Sequence, residues 1–444
     1  MKDKHGLLNA PIGRVLFNMS LPNLFGYMSI LGFNLVDTFF ISRLGTQSLA
    51  AISFTFPISL IVISIGIGLG VGVSTNLGRL IGSGDSEQAK IFLHDSLVIT
   101  FLIATALCLL GSASIDGLFS LLGATGTTLS LIHDYLFVWY LGAPILLMLM
   151  VGNQAFRATG DTRTPAQIMM LSGFINVILD PLLIFGIGPF PRLEMQGAAI
   201  ATLISWVLAF TLACYFLVIK RKLIEFAEHD LARLKHNWIR LSHIAKPAAF
   251  VNLLNPIVNA LIMAILARFG HDAVAAYGAG TRLESILLMV VMALSASLMP
   301  FISQNLGAGN TERAHQALKL SLIFILIFQS MLYVPVYFSA PWIASIFSTD
   351  TQVLNLLTFY IIALPCAYGP LGVVILFATS LNAYHKPMSS VVINVCRLFL
   401  LMLPLVILGG HLAGVKGVFL ALPISNILMG FACFMLSFHL KEKS

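Results

Sequence analysis

Ile30-Leu-Gly-Phe-Asn-Leu-Val-Asp37-Thr-Phe-Phe-Ile41 is an apolar run with one acid inside it, and the region around it recurs later in the chain. Pro22, Gly45, Gly82 and Gly84 align with Pro247, Gly270, Gly307 and Gly309 at one offset of 225 residues, without a gap. At that offset the position of Asp37 is taken by Ile262. A carboxylate in hydrocarbon costs about 2.5–3.5 kcal/mol on insertion scales, so an acid kept in only one copy of a duplicated segment points to chemistry confined to that copy.

Working outward, the 444 residues are 58% hydrophobic and 10% charged. A soluble domain carries about 25% charged residues. Apolar stretches long enough to cross a bilayer recur along the whole length, which defines a polytopic membrane protein. The formal charge of +7 does not indicate nucleic acid, because the basic residues fall in alternate loops. One side would hold Lys2, Lys4, Arg14, Arg79, Lys90, Arg157, Arg163, the cluster Lys220-Arg221-Lys222, Arg233, Lys235, Arg240, Lys246, Arg313, Lys319, Lys386, Lys441 and Lys443; the other would hold only Arg43, Arg192, Arg268 and Lys416. The positive-inside rule assigns the first set and both termini to the cytoplasm, which requires an even number of spans. The expected location is the plasma membrane, the inner membrane in a Gram-negative cell. The five cysteines are odd in number and scattered through apolar segments, so neither disulfides nor a metal centre is expected. No cleavable signal peptide is evident, and no cofactor is expected.

The pattern predicts an all-α protein of twelve transmembrane helices, over residues 12–42, 48–79, 88–112, 128–157, 162–187, 195–220, 240–268, 274–305, 312–338, 351–382, 387–409 and 415–440. The long polar interval after Lys220, with Asn237 placed just before the next helix, reads as a linker. Residues 1–220 then form an N-lobe, 221–240 the cytoplasmic linker and 241–444 a C-lobe. The duplication extends further: Leu77-Gly-Arg-Leu-Ile-Gly-Ser-Gly-Asp-Ser-Glu-Gln-Ala89 pairs with Ile302-Ser-Gln-Asn-Leu-Gly-Ala-Gly-Asn-Thr-Glu-Arg-Ala314. Asp85 and Thr311 are the expected helix caps there. Gly160–Pro165 pairs with Leu381–Pro387, and Gly197–Ser205 with Gly417–Ser425. With six spans per half the copies run in the same direction, giving two pseudo-symmetric six-helix lobes with a central cavity expected between them.

These features together resemble the multidrug and toxic compound extrusion (MATE) family over essentially the whole chain. The resemblance rests on the paired halves, Pro22 and Asp37, Gly82-Ser-Gly84, Ala158-Thr-Gly-Asp-Thr-Arg-Thr-Pro165 and Asn176-Val-Ile-Leu-Asp180-Pro181. The last of these, with the first-helix acid, is similar to the DinF branch. The resemblance implies a secondary active antiporter, not an enzyme, that exports cationic or amphipathic organic compounds in exchange for H⁺ or Na⁺. No phosphate-binding loop suggests that ATP is the driver.

The ionisable residues expected well inside the spans are Asp37, Asp180, Arg282, Glu284 and Arg397. Asn176 and Asp180 are four apart and share a helix face, and Asn34 and Asp37 are three apart. If the first and fifth helices pack together, two acids and two amides converge. Neighbouring carboxylates out of water resist joint ionisation, so the set can carry a proton; the same oxygens of Asp37, Asn176 and Asp180 would suit Na⁺. Thr202 could add a hydroxyl and Tyr135 or Tyr140 a phenol, and the DinF resemblance implies a threonine and a tyrosine in this set. Pro22 should kink the first helix and, by the resemblance, bend it in response to Asp37. Arg282 and Glu284 are expected near a membrane boundary or in a local charge network, with substrate contact as the sharper reading. Arg397 is expected to snorkel toward an interface. NorM-type members carry acids on the seventh and tenth helices; here those helices hold Asn252 and Asn255 and no acid, so coupling is expected in the N-lobe.

Two other readings compete. A lipid-linked oligosaccharide flippase would need a cationic cavity for pyrophosphate, which the acidic N-lobe disfavours. An intramembrane aspartyl protease also needs two membrane acids, yet the context of Asp180 is wrong for it and the duplication is left unexplained. The expected partners are small organic cations or amphiphiles and lipid, with no nucleic acid, acting on a monomer.

Overall fold

The computed structural model describes residues 6–225 and 230–440. Lys2, Lys4, Lys441 and Lys443, counted above on the basic side, lie outside the described residues. All regular structure among the described residues is helical. The helices are α1 (Ile12–Ser42), α2 (Thr46–Gly82), α3 (Ser86–Leu121), α4 (Gly126–Ala158), α5 (Arg163–Phe185), α6 (Glu194–Cys214), α7 (Leu231–Ala267), α8 (His271–Leu287), α9 (Met289–Gly307), α10 (Thr311–Phe338), α11 (Ala340–Phe347), α12 (Thr351–Ala363), α13 (Tyr368–Ala383), α14 (Pro387–Val395) and α15 (Leu403–Ser437). Among the described residues, eleven continuous helical segments are long and apolar enough to cross a membrane. The last, Pro387–Ser437, is too long for one crossing. It breaks at Ala413 and Gly414, where Gly414 takes φ 58°, and the backbones of Gly409 and Gly417 meet across the bend. That fold-back makes twelve crossings.

The repeat is visible in backbone geometry as well as in sequence. Gly45 and Gly270 turn the chain at φ 112° and 111°, and Gly84 and Gly309 at 82° and 78°. These are conformations that a Cβ would strain, which is why glycine recurs at the offset. The caps differ between the copies. Asp85 does cap α3, its Oδ1 accepting from Gln88 N at 3.1 Å. Thr311 does not cap α10: it is the first helical residue, and Asn310 holds the cap position without a side-chain bond. Where Gly160 makes a left-handed corner after α4, the matching corner after α13 is made by His385.

Three helix boundaries depart from the sequence reading. The eighth segment is broken at Leu288 into α8 and α9. The tenth is interrupted by a 3₁₀ turn, Pro365–Ala367, because Pro365 cannot donate to the helical ladder. The helix entering the second half starts at Leu231, well inside the interval 221–240. Asp230 lies just before it, with Oδ1 accepting from Ala232 N at 2.8 Å. Asn237 is therefore within α7 rather than ahead of it. The short α11, begun by Pro341, was not anticipated.

The chain divides into two compact units. The first is Leu21–Ala249; the second is Gly6–Ser20 together with the chain from Phe250 onward. Both α1 and α7 are therefore shared, and each changes unit beside a proline of the repeat, Pro22 or Pro247. Within the first unit, α7 is fastened at its start. Buried Asp95 accepts from Asn237 Nδ2 at 2.7 Å and from Arg233 Nε at 3.1 Å, and Asn76 Oδ1 accepts from Arg240 Nε at 3.0 Å. Asp95 lies in the third turn of α3, outside the acids the sequence places well inside the spans. The turn at Asp161 is an anchor too: Asp161 accepts from Thr164 N and Oγ1 and pairs with Arg221. Within the second unit, the carbonyls of Leu7 and Ala10 accept from Arg313, and Leu7 O also accepts from Asn305 Nδ2 at 3.2 Å.

Candidate functional site

In the first unit the packing of α5 against α1 is set by small residues. Gly173 faces Phe33 and Ser29, Gly26 faces Ala166, and further along Phe40 and Phe185 meet edge to face at 6.1 Å between centroids. On the other side Gly197 lies against the backbone of Leu183 and Ile184, which draws α6 onto α5. Small residues let membrane helices approach closely and bring polar side chains into hydrogen-bonding range. Here they bring Asn176 Nδ2 to 3.3 Å from Thr202 Oγ1, to which it donates.

Asp180 lies one turn beyond Asn176 and is fully buried. Asp37, on α1, is half-buried, and Asp37, Asp180 and the phenol of Tyr135 are within electrostatic reach of one another. The structure thus gathers Asp37, Asn176, Asp180, Thr202 and Tyr135, from α1, α4, α5 and α6. It separates Tyr140 from them. Residues 135 and 140 are five apart on α4 and face different ways, and Tyr140 packs on Gly111 of α3 and edge to face with Trp139. Asn34 is also left out: it is exposed, and its carbonyl accepts from Thr38 Oγ1 at 2.8 Å.

The chemistry of the set follows from its donors and acceptors. Asp37 Oδ1, Asn176 Oδ1 and both carboxylate oxygens of Asp180 are buried, and none receives a hydrogen bond. The Asn176 amide borders Asp180, and one of its two N–H groups is directed at Thr202. Buried acceptors without donors are costly, of order 1–3 kcal/mol each. A proton or a hard cation is what such an acceptor-only set can take. Pro181 follows Asp180 within α5, and its missing N–H leaves a backbone carbonyl of the same turn without its helical donor.

The remaining candidates lie elsewhere. Pro22 is inside a continuous α1, followed by buried Asn23, whose Oδ1 accepts from Arg157 Nε at 3.1 Å. Arg282 is exposed on α8. Glu284 belongs to a charge network, accepting from Tyr360 Oη at 3.2 Å. Arg397 does not snorkel. It is only 6% exposed, and its guanidinium donates inward to Asn426 and Asn255, because two amides meet its charge within the unit. This second polar cluster was not assembled from the sequence. The signal available was Tyr360, which stands at the 225-residue offset from Tyr135.

An all-helical, twice-repeated membrane protein with an acid set buried in one copy belongs among the membrane transporters. The MatE family model matches residues 22–182 and again residues 247–408, so this chain belongs to the MATE family of transporters and is not an enzyme. The repeated match falls on the two copies recognised from the paired prolines and glycines. Over its full length the chain is 67% identical to a Shewanella oneidensis protein named FAD transporter, covering 98% of that protein. It is 27% identical to the Staphylococcus aureus multidrug export protein MepA, over 98% of this chain and 95% of that one. Among solved structures, the Vibrio cholerae MATE transporter VcmN in its bent form superposes with a TM-score of 0.91 at 33% identity, over 96% of both chains. Membership in a transporter family removes the aspartyl protease reading.

Proposed function

We propose that this chain is a proton-coupled exporter in the plasma membrane, with both termini cytoplasmic, whose cargo is flavin adenine dinucleotide. The observation that carries the coupling is the set of four buried acceptor oxygens on Asp37, Asn176 and Asp180 that receive no hydrogen bond. A proton entering from the outside would neutralise one carboxylate and give the set an O–H donor, and leaving to the inside would restore the charged set. Thr202 and Tyr135 border the set and position its members. Pro22, beside the point where α1 changes unit, is the place where α1 bends as the charge changes. The cargo is supported by the 67% identity, over all of this chain and 98% of the other, to the protein named FAD transporter.

A second reading has its own support. The acid set suits export of organic cations, and the relatives named MepA are multidrug exporters, though at 27% identity. One experiment separates these. Purified protein is reconstituted into vesicles loaded with FAD or ethidium, and efflux is followed under an imposed pH gradient with no Na⁺. The expected result is FAD efflux by the native protein that falls to the empty-vesicle background in Asp37→Asn and Asp180→Asn. Efflux only after Na⁺ is added would make the same carboxylates Na⁺ ligands. Ethidium efflux without FAD efflux would replace the cargo and keep the coupling. Full activity in both variants would remove the acid set from the mechanism.

A further inference from the structure

The second unit holds a buried charged cluster that the coupling mechanism does not use. Arg397 lies in a π-helical turn, Cys396–Met402, between α14 and α15. Such turns cost backbone geometry and occur often at functional sites. Nη1 donates to Asn426 Oδ1 at 3.2 Å and Nη2 to Asn255 Oδ1 at 2.9 Å. Nε is buried and donates to nothing. Both partners are neutral amides, and among the described residues Arg397 makes no ion pair.

The acid within electrostatic reach is Glu284, which is engaged otherwise. It accepts from Tyr360 Oη at 3.2 Å, with the phenol of Tyr368 beside it. Tyr277 closes the group, edge to face with Tyr360 and donating to Asn259 Oδ1 at 3.1 Å. Thus Glu284 balances the guanidinium at a distance without occupying its hydrogen-bonding face. Nε and Nη2 form one edge of the planar fork, the edge that grips a carboxylate or phosphate with two parallel bonds. On that edge Nε is free, and Nη2 is held only by Asn255, itself exposed on α7. An anion arriving along α7 would need to displace one neutral amide to gain both bonds.

We propose that Arg397 is the anion-recognising residue of the second unit and takes a phosphate group of the cargo on its Nε and Nη2 edge. The identity of that anion rests on the flavin dinucleotide reading above. It also answers a difficulty in that reading, since a pyrophosphate gains nothing from the acid set of the first unit. Asn255 and Asn426 are positioning residues that hold the fork, and Glu284 keeps the site neutral until the anion arrives.

The test is equilibrium binding of FAD and of riboflavin, which has no phosphate, to the detergent-solubilised full-length protein. Native protein is compared with Arg397→Gln, Arg397→Lys and the charge-balanced pair Arg397→Gln with Glu284→Gln. The double variant guards against a single change that fails to fold, and each protein is checked for a monodisperse size-exclusion profile. The expected result is FAD binding weakened about tenfold or more in both Gln-containing variants, as for loss of a charge-assisted hydrogen bond. Arg397→Lys should recover part of it, and riboflavin binding should stay within about twofold because it never used the guanidinium. Equal weakening of FAD and riboflavin in the monodisperse double variant would make Arg397 structural and overturn the proposal. Unchanged FAD binding would overturn it too, leaving the flavin reading intact. Native protein that binds riboflavin or ethidium but not FAD would remove the flavin reading, and this site's cargo with it.

Discussion

Two polar clusters occupy matching halves of this chain, and their electrostatics are opposite. In the first unit Asp37 and Asp180 share a buried pocket with an amide, a hydroxyl and Tyr135, and among the described residues no cation pairs with them. In the second, Tyr360 stands at the position of Tyr135 but hydrogen-bonds an acid, Glu284, that a guanidinium offsets. Duplication supplied one scaffold twice, and divergence made one copy acceptor-rich and the other charge-balanced. An acceptor-rich site must bind something to be satisfied, which suits an ion that comes and goes. A balanced site is satisfied at rest and can exchange one partner for another, which suits a cargo.

The strongest way to break this comparison is to unbalance the balanced site. Glu284→Leu leaves the buried Arg397 charge uncompensated and should destabilise the protein by about 3–5 kcal/mol. Glu284→Leu with Arg397→Leu should recover most of that loss, since removing two opposite charges together leaves neither uncompensated. Thermal unfolding in detergent reads both. A double variant no more stable than the single one would mean that the two charges do not balance each other.

The second test moves the acid. Ile262, the repeat counterpart of Asp37, is buried on α7. Ile262→Asp should cost about 2.5–3.5 kcal/mol. It should not restore efflux to an Asp37→Asn protein, because the second copy lacks the amide and hydroxyl partners. Restored pH-driven efflux in that double variant would show that the halves are interchangeable, and the asymmetry would lose its meaning.

The matched tyrosines sharpen the contrast further. Tyr360→Phe removes a donor from half-buried Glu284 and should cost about 1–2 kcal/mol in thermal unfolding. Tyr135→Phe should cost less in stability and instead lower the rate of proton-driven efflux. Equal stability losses with normal efflux in both variants would argue that the two phenols have the same structural job.

How much of this was legible follows from which signals are local. The spans, the repeat and the set Asp37, Asn176, Asp180 and Thr202 were readable because an acid in an apolar run and a glycine at a turn each announce a cost where they stand. The choice between Tyr135 and Tyr140 was not, because both are plausible by type and only the rotation of α4 separates them. Asn34 satisfied the helical spacing yet lies on the exposed edge of α1, where a 60° offset is enough to lose the pocket. Arg397 was misread for a deeper reason. Its partners Asn255 and Asn426 are far away in the chain, and a long basic side chain in a span looks the same from sequence whether it reaches for water or for two amides. The break at Pro365 was marked by the proline itself. The break at Leu288 has no such mark.

The smallest effect is the most discriminating for the first site. Thr202→Val keeps shape and removes the hydroxyl that accepts from Asn176. Interhelical hydrogen bonds in membranes average about 0.6 kcal/mol, so unfolding should shift only slightly. The functional consequence runs through geometry. Freed from Thr202, the Asn176 amide can swing further toward Asp180, one turn away on the same face, and bring an N–H into full hydrogen-bonding geometry with an oxygen that otherwise waits for a proton. Efflux should then need a steeper pH gradient while cargo affinity stays as in the native protein. Measuring initial efflux rate against external pH in Thr202→Val decides this. A profile that overlays the native one would mean that Asn176 is not held away from the acid by Thr202, and that the four empty acceptors owe nothing to α6.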